Sequence, residues 1–132
     1  MPSLWEAARE AADDARFLYS ADRKTAPCNR AYYAMFNAAR ALLIQSGIKP
    51  ERAKTHATVL RLFSLKFVKG GPFDAALGHA LREAARVRNQ GDYAGSGTDA
   101  EALQDIMTSL ETFMDVAGRL IREEDKRQGE GE

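Results

Sequence analysis

The chain has 132 residues, 45% hydrophobic and 29% charged, which suits one domain with a core of its own and excludes a wholly disordered chain. Nineteen basic residues balance nineteen acidic ones, so no general electrostatic attraction to nucleic acid is indicated and a basic patch would have to be local. The single cysteine, Cys28, excludes an internal disulfide, and no apolar run approaches the roughly 20 residues of a membrane span.

Ser3-Leu4-Trp5-Glu6 has the form of a capping box and starts a first helix. Leu4, Ala8, Ala11, Ala15 and Leu18 recur at helical spacing to about Tyr19, a stripe small enough for close helix packing. Ser20 to Ala26 reads as a connection, and Pro27 suits the first turn of the next helix because its missing amide is not needed there.

The second helix, Cys28 to Leu43, has two faces. At about 100° per residue, Tyr32, Met35, Phe36, Ala39, Leu42 and Leu43 share an apolar side, and Arg30, Tyr33, Asn37 and Arg40 line the other. Gly47 and Pro50 predict its end. Thr55 caps a third helix carrying Val59, Leu60, Phe63 and Phe67, closed by Gly70-Gly71-Pro72. Phe73, Leu77, Leu81, Ala84 and Val87 mark a fourth helix ending near Gly91.

After the break Gly95-Ser96-Gly97, Thr98-Asp99-Ala100-Glu101 forms a second capping box. Leu103, Ile106, Met107, Leu110, Phe113, Met114, Ala117, Leu120 and Ile121 then sustain the clearest helical stripe in the sequence. No strand pattern or internal repeat is visible. The predicted fold is all-α: an up-and-down antiparallel bundle of four to five helices over residues 1–122, followed by a disordered charged tail at 123–132.

The densest polar cluster is Arg86 to Tyr93. Arg88 lies four, seven and eleven residues after Ala84, Leu81 and Leu77, so it continues the core-facing stripe. A guanidinium there needs a carboxylate, a carbonyl, a second subunit or a ligand, because an unpaired buried charge is costly. As a last-turn residue it has the alternative of meeting the terminal carbonyls and reaching outward. Arg30, Tyr33, Asn37 and Arg40 form either a solvated face or a phosphate-binding one, through guanidinium forks and a stacking ring.

His56, in the first turn of helix three, reads as a capping or packing residue, and His79 has Arg82 and Arg86 on its side, where repulsion disfavours protonation. Neither histidine has metal-ligand spacing with Cys, Asp or Glu, so no metal or cofactor is expected. Cys28 reads as a small buried hydrophobe. No phosphate-binding glycine loop, nucleophile elbow or DNA-reading motif is present.

Several stretches resemble the HEPN domains: Asn29-Arg30-Ala31-Tyr32-Tyr33-Ala34-Met35-Phe36-Asn37-Ala38-Ala39-Arg40-Ala41-Leu42-Leu43, Lys54-Thr55-His56, Phe67-Val68-Lys69, and Arg88 followed by Asp92-Tyr93. The resemblance covers nearly the whole chain and is to the small stand-alone bacterial and archaeal members. It implies a homodimer with a shared polar cleft and, as for some members, a toxin-antitoxin setting with a small nucleotidyltransferase as partner; the cytoplasmic setting expected here follows instead from the single cysteine and the lack of an apolar span. Taken with the polar face of the second helix and the end of the fourth, it leads to the expectation that Arg30, Tyr33, Asn37, Arg40, Asn89 and Asp92 bind nucleotide, RNA or that partner.

Many family members are metal-independent ribonucleases using an arginine followed four to six residues later by histidine. In this chain Arg88 opens that motif and Tyr93 stands in the histidine's place. A phenol titrates near pH 10 and does not replace imidazole in proton transfer at neutral pH. The alternatives are therefore an RNase toxin with a degenerate Arg88–Tyr93 pair, and a non-catalytic scaffold dimer.

Overall fold

A computed structural model describes the backbone of residues 3–94 and 100–130, and the side chains of these residues apart from 89–94, 125 and 127–130. Among the described residues five α-helices follow one another: α1 (Leu4–Ser20), α2 (Ala26–Gln45), α3 (His56–Phe63), α4 (Ala75–Ala94) and α5 (Ala100–Glu130). A short 3₁₀ turn covers Pro50–Arg52, and a wide π turn covers Ser64–Val68. No strand occurs among the described residues. The fold is an all-α helical bundle, as predicted.

Ser3 and Thr55 cap their helices as predicted. Ser3 Oγ accepts from the Glu6 amide at 3.1 Å, and Thr55 Oγ1 accepts from the Thr58 amide at 3.2 Å. Each satisfies one of the amides that a helix start leaves without a partner. Gly47 stops α2 with φ +111°, a backbone state in which a Cβ is strained.

Three boundaries differ from the sequence reading. Helix α4 begins two residues after Phe73, because Asp74 Oδ1 accepts from the Leu77 amide at 3.0 Å and caps it. It does not stop near Gly91 but runs to Ala94. A glycine inside a helix costs only about 1 kcal/mol relative to alanine, too little to end one alone. Helical backbone likewise continues through the charged segment after Glu123 to Glu130. The break at Gly95-Ser96-Gly97 and the Thr98-Asp99 part of the second capping box lie outside the described residues.

The π turn extends α3 into a tight corner where Lys69 N bonds to the Ser64 carbonyl and Phe73 N to the Phe67 carbonyl, each at 2.9 Å. The chain passes so close that a Cβ on Gly71 would stand 2.5 Å from the Phe67 carbonyl oxygen. Gly71→Ala is therefore expected to lower stability by about 1–3 kcal/mol, read from urea denaturation, since backbone must shift to admit the methyl. A loss below about 0.5 kcal/mol would mean that the corner opens freely.

The core lies around α2, of which no residue from Ala26 to Gln45 is exposed. Ala8, Ala11, Ala12 and Ala15 present only methyl groups, which lets α1 approach α2 closely. Only residues 21–25 separate α1 from α2, so these two helices, packed side by side, run antiparallel. Helix α1 is also antiparallel to α5: the Trp5 ring lies beside Gly118, and Arg16 reaches Glu111 at 2.6 Å. Phe63 of α3, Phe73 in the turn before α4 and Phe113 of α5 pack together at ring separations of 4.9 to 5.5 Å. Every member of the predicted α4 stripe, Phe73, Leu77, Leu81, Ala84 and Val87, is buried.

Candidate functional site

Two small side chains set the position of the polar cluster. Ala84 on α4 is fully buried against α2, where the Cys28 thiol points at its carbonyl at 3.9 Å. One helical turn further, the same face of α4 carries Arg88, which is thereby laid across α2. Its Nε donates to Asn29 Oδ1 at 2.9 Å and its Nη2 to the Tyr33 hydroxyl at 3.0 Å. Its guanidinium carbon lies 5.2 Å from the Tyr32 ring centre and 4.9 Å from that of Tyr33. The spacing within α2 explains the grip, since Asn29 and Tyr33 are four apart and stack on one face while Tyr32 supplies the adjoining wall.

Arg88 is half-buried, and among the described residues its partners are an amide oxygen, a phenol and two aromatic faces, with no carboxylate ion-paired to it. These groups orient the cation without neutralising it. Arg30 adds a second guanidinium 5.2 Å from the Tyr33 ring centre. With both cations packed on it, the Tyr33 ring serves to hold them; the sequence had offered it as a platform for a stacked ligand.

Arg30, Tyr33 and Asn37 line a groove of about 260 Å³ with Ala7, Glu10, Ala11 and Asp14 of α1. Two carboxylates therefore face the cationic side, and the groove is mixed in charge. Arg40 does not join this group: its Nε donates to the Ala53 carbonyl, bracing the loop before α3. The backbone of α4 remains helical through Asn89, Asp92 and Tyr93, whose side chains lie outside the described residues.

Two participants were not singled out in the sequence. Asn29 is Arg88's hydrogen-bond acceptor; its spacing of four from Tyr33 and eight from Asn37 is the signal that places it on their line. Tyr32 was read as core, and its ring is fully buried, yet the same ring flanks Arg88 and its hydroxyl is hydrogen-bonded to His56 Nδ1. His56 thus packs, as expected, against Tyr32 and Phe36.

The basic side of α4 is better screened than the sequence suggested. Arg86 pairs with Glu83, whose carboxyl is held below the usual range chiefly by that hydrogen bond, and Arg82 donates to Ser64 Oγ at 3.3 Å. His79 lies away from Arg88, lining a cavity of about 370 Å³ between α4 and α5 with Glu83, Asp105 and Ser109. Among the described residues, no group of three or more His, Cys, Asp or Glu could hold a metal ion, and no helix is long and apolar enough to cross a membrane.

Sequence comparison places the chain among known proteins. A "UPF0332 protein" of Thermotoga maritima is 33% identical over 117 residues, covering 88% of this chain and 86% of its own. "Putative toxin MJ0605" of Methanocaldococcus jannaschii is 30% identical over 121 residues, covering 92% and 88%. A Pyrococcus horikoshii "UPF0332 protein" reaches 51% identity over a shorter stretch of 43 residues, 33% of this chain and 28% of its own. No solved structure gives a significant match. Residues 1–121 match the HEPN domain, and with relatives of near-equal length over the same span the chain belongs to the HEPN domain family.

Proposed function

We propose that this HEPN protein is a component of a toxin-antitoxin module that engages the phosphates of RNA or a nucleotide through Arg88 and Arg30. The observation that carries the reading is the half-buried Arg88 guanidinium, oriented by Asn29, Tyr33 and two aromatic rings and ion-paired to no described carboxylate. A cation held in place by neutral groups keeps its charge for an anion and loses little freedom when one arrives. The toxin name of a relative over nearly the whole chain supports the setting.

The reading includes a homodimer in which two such sites share a cleft. It also includes a nucleotidyltransferase-type antitoxin as partner, and both rest on family membership. Fluorescence anisotropy with a labelled single-stranded oligouridylate, and with labelled ATP, tests the anion site. Binding of one of them is expected, with a log–log salt slope of about −1 to −2 for two phosphate contacts. Arg88→Ala should weaken it at least about tenfold, roughly 1.4 kcal/mol. Absence of binding to both probes at low salt would overturn the reading.

The alternative of an RNA-cleaving toxin draws on the same relative's name and on Arg88 as a group able to stabilise charge on a phosphorane. Growth arrest on induction, abolished by Arg88→Ala with the fold retained, is its expected signature. Cells and purified RNA that are indifferent to the protein would remove it.

A further inference from the structure

Tyr32 is among the largest fully buried side chains, and a phenol in a core needs a partner for its hydroxyl. That partner is His56 Nδ1, delivered from the first turn of α3. The two rings lie 5.3 Å apart and 14° from parallel, and the imidazole also stacks on Phe36 at 4.7 Å. Thr55 holds the start of α3 by accepting from the Thr58 amide, so His56 sits on an anchored turn. Across the same Tyr32 ring lies Arg88, its guanidinium carbon 5.2 Å from the ring centre. An imidazole exposed to solvent, a buried ring and a half-buried guanidinium thus form one chain of contacts across α3, α2 and α4.

We propose that His56 is a positioning residue of the Arg88 site: by holding the Tyr32 hydroxyl it fixes the ring against which the Arg88 guanidinium is oriented toward an incoming phosphate. Tyr32 and Tyr33 meet edge to face at 5.6 Å and form the notch that receives the guanidinium. Releasing the Tyr32 hydroxyl lets that ring tilt, and the notch with it. A group placed this way acts through packing at a distance where small displacements of a binding cation matter.

The inference rests on the anion-binding reading for its purpose, so its test has one measurement that needs no ligand. The Arg88 Nε–Hε resonance, followed by ¹⁵N NMR, reports whether the guanidinium keeps its bond to Asn29. His56→Phe retains the stacking ring but removes the acceptor, Tyr32→Phe removes the hydroxyl, and His56→Asn returns an acceptor near the Nδ1 position. Both Phe variants are expected to shift the resonance and hasten its exchange, and His56→Asn to restore it. With the labelled oligouridylate, each Phe variant should bind about three- to tenfold more weakly, and the double variant no more weakly than either, as for residues acting in series.

An unchanged Arg88 resonance in folded His56→Phe would overturn the proposal, as would additive losses in the double variant. A shifted resonance in a protein that binds neither oligouridylate nor ATP would leave the positioning role standing and overturn the anion-binding reading. A merely structural His56 would lower the melting midpoint without moving the Arg88 signal.

Discussion

Phe113→Ala is expected to lower folding stability by about 3–5 kcal/mol, the range for emptying a fully buried phenylalanine site. Phe113 is completely buried on α5, with ring centres 4.9 Å from Phe73 and 5.5 Å from Phe63. Phe63 and Phe73 are themselves 4.9 Å apart edge to face, and Phe67 extends the group at 5.6 Å from Phe63. Removing one ring therefore opens a void where three helices meet, and the neighbours are held by the π turn and its hydrogen bonds, so they cannot collapse into it. Urea denaturation at fixed protein concentration, with an unchanged m-value, measures the loss. Phe17, 72% exposed on α1, provides the control: Phe17→Ala should stay within about 0.5 kcal/mol of wild type. A Phe113→Ala loss under about 1.5 kcal/mol would show that this cluster does not join α3 to α5.

Arg88→Met is expected to abolish most oligouridylate binding while changing stability by less than about 1–2 kcal/mol. Methionine fills much of the arginine's path between Tyr32 and Tyr33, and replacing a desolvated charge by an apolar side chain of similar length is often close to neutral. The Asn29 and Tyr33 side chains are only half-buried, so water can take up the bonds that Arg88 made. Arg88→Lys should do the opposite of what its conservatism suggests. A single ammonium lacks the planar fork that serves Asn29 and Tyr33 together while lying on two rings, so affinity should fall about tenfold although the charge remains. Binding that survives in Arg88→Met would remove Arg88 from the site. Unaltered binding accompanied by a large stability loss would favour a scaffold role.

Much of this protein was legible in its residues because helices are local objects. Ser3 and Thr55 marked two helix starts, Gly47 a stop, and the three-four spacing of apolar residues placed Leu77, Leu81, Val87, Ile106, Leu110 and Phe113 in the core. The same spacing put Arg88 on the inward side of α4. It could not name what Arg88 would meet, because periodicity reports the face of a helix and says nothing of the residue opposite. That was decided by the close approach of α4 to α2 at Ala84 and Cys28, which brings Asn29 and Tyr33 under the guanidinium. The same tertiary packing turned Arg40 to the Ala53 carbonyl and gave the buried Tyr32 hydroxyl to His56, twenty-four residues away. Sequence by itself determined which segments are helical and which faces are apolar, since capping and amphipathicity act within a few residues. Which polar side chains share a site was left to the tertiary structure, because hydrogen bonds between helices depend on where the packed axes cross.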